Sequence, residues 1–208
     1  LATAVDAGIP PDTPGLLPNV RITLGTASIH PIDMADAYAT FAAGGVRAPW
    51  YTVAEVRRAN GGLLYRANPA PVRVFPADVM ADLTYALSQV VTDPSGTGAV
   101  ARGVGRPVAG KTGTAALRPG TTTSAWFVGY TPQLATAVAF YRGDGTESLD
   151  GVGGMSTFFG AGYPARIWTD FMSSALAGQP VEGFPPPARV GRTVGVAPVV
   201  PPSPTPTP

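Results

Sequence analysis

The sequence has no cysteine and one histidine, His30. Disulfides, thiolate metal sites, cysteine nucleophiles and metal centres built from several imidazoles are thereby excluded. It also lacks any run approaching the roughly 20 consecutive apolar residues that cross a bilayer as a helix. No basic segment leading into an apolar one marks its start. Charge of one sign is equally absent: fourteen basic and thirteen acidic residues leave a formal net charge of +1. That balance offers no basic footprint for RNA or DNA, so nucleic acid is not an expected partner. Lysine is the scarcest cation, with thirteen arginines against one lysine, Lys111. In an arginine-rich background, a lone lysine marks a site that needs a compact ammonium rather than a guanidinium fork, with chance as the competing explanation.

What is present suffices for a core. With 208 residues, 45% of them hydrophobic, the chain can bury one globular domain or the larger part of one. The opening, residues 1–26, is rich in proline and glycine and reads as irregular loop. It begins without a methionine or a leading structural element, so an excerpt of a longer polypeptide is expected.

From Pro31, apolar residues Ile32, Met34, Ala35, Tyr38, Ala39, Phe41 and Ala42 recur at helical spacing and stop at Gly44-Gly45. Residues 51–57 and 62–65 flank Asn60-Gly61, the dipeptide suited to a tight turn, and predict a small β-ribbon. A second helix is expected over residues 77–91, closed by Asp93-Pro94-Ser95-Gly96. Residues 96–105 are small and read as flexible, and three extended runs follow over 106–115, 124–130 and 134–141. The middle run carries apolar side chains on both faces and is expected to be central. Thr121-Thr122-Thr123 reads as a turn near a cleft mouth. A glycine-rich loop over 143–162 precedes a last helix that starts at Pro164. After Phe184 the composition turns to proline, so residues 1–184 are expected to form the domain and 185–208 a proline-rich extended tail.

Gly105-Arg106-Pro107-Val108-Ala109-Gly110-Lys111-Thr112 fits the phosphate-loop pattern and, taken bare, predicts a nucleotide. That chemistry needs a buried strand before the first glycine and a helix beginning at Lys-Thr. Upstream lies a small-residue stretch, and downstream Gly113 follows at once with Pro119-Gly120 beyond it. The alternative places Lys111-Thr112-Gly113-Thr114 along a strand, with Lys111 and Gly113 on one face and Thr112 and Thr114 on the other. Gly113 then lets a ligand approach the backbone, and the ammonium and hydroxyls can hold a carboxylate while a peptide adds as a strand.

Read in this way, the segment resembles the Lys-Thr-Gly box of serine penicillin-recognising enzymes. The resemblance covers roughly residues 20–187 and is carried by four further blocks. They are Leu24-Gly25-Thr26, Pro31-Ile32-Asp33-Met34 through Gly44-Gly45-Val46, Ala125-Trp126-Phe127-Val128-Gly129-Tyr130-Thr131-Pro132, and the helix from Pro164 to Met172. The chain is similar to the C-terminal part of the transpeptidase domain of class A (bifunctional) penicillin-binding proteins of actinobacterial type.

The resemblance implies an α+β fold: an antiparallel sheet covered by helices, of penicillin-binding and serine β-lactamase-like type, incomplete in this chain. It implies a peptidoglycan DD-transpeptidase without a cofactor or metal, whose serine attacks the penultimate D-Ala carbonyl of a stem peptide and is acylated by β-lactams. Thr112, Gly113 and Thr114 would bind the substrate. Lys111 would supply positive potential and assist proton transfer, and the Thr114 N–H would serve the oxyanion hole. The implied partners are D-Ala-D-Ala stem peptides, β-lactams and an N-terminal remainder carrying Ser-x-x-Lys, Ser-x-Asn, a glycosyltransferase domain and a membrane anchor. The implied location is the extracytoplasmic face of the membrane. This chain departs in having neither Ser-x-x-Lys nor Ser-x-Asn, and in placing Ser124 where the family often has an acid. A non-catalytic muropeptide-binding module, a β-lactamase or a carboxypeptidase are the alternative readings. His30 and Asp33 are expected to be structural, and Asp144 a loop residue.

Overall fold

The computed structural model describes residues 1–191. The helices are α1 (Ala2–Ala7), α2 (Pro31–Ala42), α3 (Ala77–Thr92) and α4 (Tyr163–Ala175). The strands are β1 (Val46–Arg47), β2 (Glu55–Arg57), β3 (Leu63–Arg66), β4 (Val72–Arg73), β5 (Ala109–Arg118), β6 (Thr121–Tyr130) and β7 (Ala135–Tyr141). Short 3-10 turns cover Val20–Leu24, Ala99–Val104 and Val152–Gly154. Helices on an antiparallel sheet make this the expected α+β arrangement.

β5, β6 and β7 form a three-stranded antiparallel sheet in that order, so β6 is central and β5 is an edge. Facing pairs set the two surfaces: Lys111 opposes Val128 and Gly113 opposes Trp126, while Thr112 opposes Phe127 and Thr114 opposes Ala125. The Phe127 surface packs on α4, whose Ala165, Trp168 and Met172 recur at helical spacing and are fully buried. Phe127 and Trp168 meet edge to face at 5.1 Å, and the Trp168 indole N–H donates to the Thr136 carbonyl at 2.9 Å, so the largest buried ring leaves no orphaned donor. The opposite surface packs on α2, where the Tyr38 and Tyr130 rings meet at 6.1 Å. Tyr130 is also tied to α3 by the Thr84 hydroxyl at 2.8 Å.

Thr121–Thr123 is strand, not turn: all three residues belong to β6. Pro119 and Gly120, the latter at φ 76, reverse the chain between Arg118 and Thr121 without help from the threonines. Proline followed by a positive-φ glycine is what a type II turn asks for, and β-branched threonine favours the strand. The opening is likewise more ordered than its composition suggests. α1 is six residues long, too short for periodicity to declare it, and it is held by packing of Ala7 and Ile9 with Ala37 of α2. The Thr40 hydroxyl of α2 donates to the Ala7 carbonyl at 2.9 Å. Residues 99–104 form a 3-10 turn whose Ala101 is buried in the main core rather than a flexible link.

After α4 the chain runs back across the domain without regular structure. Arg106 donates to the carbonyls of Leu176 at 2.9 Å and Pro180 at 3.2 Å, and the Gln133 amide donates to Pro180 at 2.6 Å. The Phe184 ring meets Tyr130 at 5.5 Å. The backbone N–H groups of Arg189 and Val190 then donate to the Asp82 carboxylate of α3 at 2.7 and 2.8 Å. Most of the proline-rich tail expected over 185–208 lies outside the described residues.

Candidate active site

β5 brings Lys111, Thr112, Gly113 and Thr114 together on the open edge of the sheet. The strand continues to Arg118, so no helix starts at Lys111-Thr112 and the phosphate-loop geometry is absent. Side chains alternate as expected, but the lysine does not stand straight out. Its ammonium curls around the edge and donates to the Thr112 carbonyl at 2.9 Å and the Thr112 hydroxyl at 3.3 Å.

Glycine keeps this part of the strand thin. A Cβ on Gly113 would lie 3.2 Å from Trp126 Cβ, and one on Gly110 would lie 2.9 Å from the Val128 carbonyl oxygen. On the other surface, a Cβ on Gly160 would sit 2.2 Å from the Trp126 carbonyl oxygen and 2.7 Å from that of Gly113. Only the absence of that atom allows the loop backbone to reach the sheet, where the Gly160 N–H donates to the Thr114 hydroxyl at 3.2 Å. Thr114 thus has a fixed rotamer with its own hydroxyl hydrogen free to donate.

Thr112 is held in the same manner. Gly98 N–H donates to the Val90 carbonyl at 2.9 Å, fastening the loop after α3. That places the Thr97 hydroxyl 2.9 Å from the Thr112 hydroxyl. Sequence reasoning identified neither Thr97 nor Gly160, although their glycine-rich surroundings were the available signal.

Lys111, Thr112, Gly113 and Thr114 line a cleft of about 630 Å³. Residues 111–117 of β5 form one wall, Ser124, Trp126 and Val128 of β6 the floor, and Arg21, residues 24–29, Met34 and Tyr38 the facing wall. Leu24-Gly25-Thr26, the first block of the resemblance, is therefore part of the cleft. Its lining mixes apolar Leu24, Ile29, Met34, Trp126 and Val128 with the hydroxyl-bearing residues Thr26, Ser28, Thr112, Thr114, Thr123 and Ser124. Burial, with the nearby Tyr130 adding to it, pushes the Tyr38 phenol up to about 12, so it remains a neutral hydrogen-bonding group.

His30 sits exposed before α2 and does not line the cleft. Asp33 is buried and accepts from the Trp50 indole N–H at 3.2 Å, while Asp144 accepts from Thr146 within its own loop. Among the described residues, no group of three or more His, Cys, Asp or Glu could hold a metal ion.

Residues 5–147 match the penicillin binding protein transpeptidase domain. Penicillin-binding protein 1A of Mycobacterium tuberculosis is 39% identical over 191 residues, a span that takes in 89% of this chain and 23% of that protein. The protein of the same name from Mycolicibacterium smegmatis is 36% identical over 216 residues, covering 96% of this chain and 27% of the relative. Among solved structures, the M. tuberculosis penicillin-binding protein PonA1 superposes with a TM-score of 0.80 at 35% identity, over 100% of this chain and 56% of that one. PonA1 in complex with penicillin V gives 0.77 at 35% identity, over 88% and 51%. The chain spans about a quarter of the length of these curated relatives. An open-edged Lys-Thr-Gly-Thr strand, the cleft beside it and a match over most of the chain lead to one assignment: this chain belongs to the penicillin-binding protein transpeptidase domain family.

Proposed function

We propose that this chain is the C-terminal portion, residues 1–184 with a proline-rich extension, of a serine D-Ala-D-Ala transpeptidase that cross-links peptidoglycan stem peptides and is acylated by β-lactams. The observation that carries the reading is the open edge of β5, with Lys111, Thr112, Gly113 and Thr114 lining a cleft that has no acidic residue among the described residues. A stem peptide pairs with this edge as an added strand. The Thr112 and Thr114 hydroxyls donate to its terminal carboxylate, and Lys111 supplies the compensating charge.

The nucleophilic serine and its Ser-x-x-Lys lysine, together with the Ser-x-Asn motif, come from residues outside this chain, as do a glycosyltransferase domain and an anchor to the outer face of the membrane. The serine hydroxyl gives up its proton as it attacks the penultimate carbonyl, and D-Ala leaves after taking a proton on its amine. The acyl group then passes to the amine of a neighbouring stem. The Thr114 N–H acts with the serine's own amide on the developing oxyanion. Lys111 acts on developing charge, so its loss is felt in rate more than in binding.

In the full-length protein, Lys111→Ala is expected to slow acylation by a fluorescent penicillin by about 10²-fold or more, the scale seen when a preorganised electrostatic group is removed from an acyl-transfer site. Circular dichroism is expected to remain unchanged. A near-normal acylation rate would contradict the role given to Lys111. Failure of the wild-type protein to form any serine adduct would favour a non-catalytic muropeptide-binding module, the reading suggested by the lack of Ser-x-x-Lys and Ser-x-Asn within these residues.

A further inference from the structure

The wall of the cleft facing β5 carries a second cation. Arg21 belongs to the 3-10 turn Val20–Leu24, which Asn19 caps by accepting the Arg21 backbone N–H at 2.9 Å. The cap fixes the turn, and Gly25 at φ 85 leads from it into residues 26–29 along the cleft. Arg21 is exposed, and among the described residues its guanidinium, like those of Arg58, Arg118 and Arg166, has no hydrogen-bond or ion-pair partner, whereas Arg57 and Arg66 sit on Glu55 and Arg142 on Glu147. Among the described residues, Arg21 and Lys111 are the two charged residues that line the cleft, and neither an aspartate nor a glutamate joins them.

Two cations lining one cleft, without an acidic neighbour among the described residues, suit a ligand with more than one anionic group. The first is accounted for by the chain-terminal carboxylate at Lys111, Thr112 and Thr114. An extended peptide laid along β5 advances about 3.3 Å per residue and turns alternate side chains toward opposite surfaces. A side-chain carboxylate near its C-terminus can therefore point across the cleft while the main chain stays on the strand. A guanidinium suits such a group because its planar fork can engage both carboxylate oxygens.

We propose that Arg21 is a specificity-determining residue that binds a second, side-chain carboxylate of the donor stem peptide. The proposal rests on the transpeptidase reading. It assigns the 19–29 segment a direct role in selecting peptides whose side-chain acid is free over those in which it is amidated. A β-lactam with a single carboxylate uses the Lys111 end of the cleft alone.

The test uses the full-length protein and two synthetic donor peptides ending in D-Ala-D-Ala. They are identical except that the residue before this pair carries either a free side-chain carboxylate or its primary amide. D-Ala release, peptide binding by fluorescence anisotropy and acylation by benzylpenicillin are followed for wild type, Arg21→Gln and Arg21→Lys. Arg21→Gln is expected to lower both kcat/KM and affinity for the free-acid peptide about tenfold, the worth of one well-made ionic contact. The amide peptide and the penicillin rate should change less than twofold, and Arg21→Lys should restore part of the loss. Equal losses for acid and amide, or no loss for either, overturn the proposal. If wild type forms no penicillin adduct, the transpeptidase reading fails by itself. The anisotropy comparison still decides whether Arg21 discriminates acid from amide.

Discussion

Gly160 shows how much of the site depends on an atom that is missing from a side chain. With the Trp126 carbonyl oxygen 2.2 Å from where a Cβ would stand, Gly160→Ala must push its loop off the sheet. The Thr114 hydroxyl then loses the N–H that orients it. Overpacking of this kind costs about 1–3 kcal/mol, and chemical denaturation should register it. The same variant should slow penicillin acylation, because Thr114 would sample rotamers that do not face the cleft. A stability loss with an unaltered acylation rate would show that the Gly160 contact is scaffolding only. This dependence was not legible in the sequence, where residues 143–162 read simply as a glycine-rich loop. The strand position of Lys111, by contrast, was legible, because Gly113 two residues on and Pro119-Gly120 beyond it argued against a helix starting there. What sequence could not supply was the curl of its ammonium onto Thr112, for which β5 leaves room because it has no neighbour on that side among the described residues.

The interface between α2 and β6 sets the alkaline behaviour of the fold. Burial raises both the Tyr38 and Tyr130 phenols to about 12, with the Thr84 hydrogen bond pulling Tyr130 slightly the other way. A group whose folded value lies above its ordinary one of 10.0 binds its proton more tightly when folded. Its contribution is therefore complete below about pH 10 and is lost as pH rises toward about 12. Denaturant midpoints measured across this window should fall, and Tyr38→Phe should make the decline shallower. An unchanged slope would mean that Tyr38 is more solvated than its packing implies. α2 itself was readable to the residue, since Pro31 starts it and Gly44-Gly45 follow its end. α1 escaped notice because six residues cannot display a period, and its order comes from Ala37 and Thr40 of a helix some thirty positions away. Thr121–Thr123 was misjudged for a related reason: a two-residue turn at Pro119-Gly120 leaves the threonines free to pair with β5.

Across the whole molecule, the return segment after α4 joins elements that are distant in sequence. Arg106 and Gln133 hold Pro180, Phe184 lies on Tyr130, and Asp82 receives the N–H groups of Arg189 and Val190. Those donors hold the Asp82 carboxyl below its usual range. Its depressed value stabilises the docked segment above about pH 4 and is lost as pH falls through the folded-state value. Limited proteolysis should therefore cut residues 185–191 more readily in acid. Asp82→Ala should cause the same cutting at neutral pH, and equal resistance in the variant would show that Phe184 alone secures the segment. None of this was legible in a proline-rich composition, because the partners are backbone N–H groups and a carboxylate more than a hundred residues apart.

The edge of β5 has one more consequence, which concerns crowds of these molecules rather than any one of them. A strand that leaves its backbone unpaired for a guest offers the same ladder to any passing copy. Here the pairing register of β5 with β6 slips at Ala115/Ala116 and again before Arg118, and charged Lys111 and Arg118 stand near the two ends. Bulged, charge-flanked strand geometry of this kind is a poor template for a long added strand. The irregularities after Ala115 thus shorten the regular stretch of β5 with which another copy of the chain could pair.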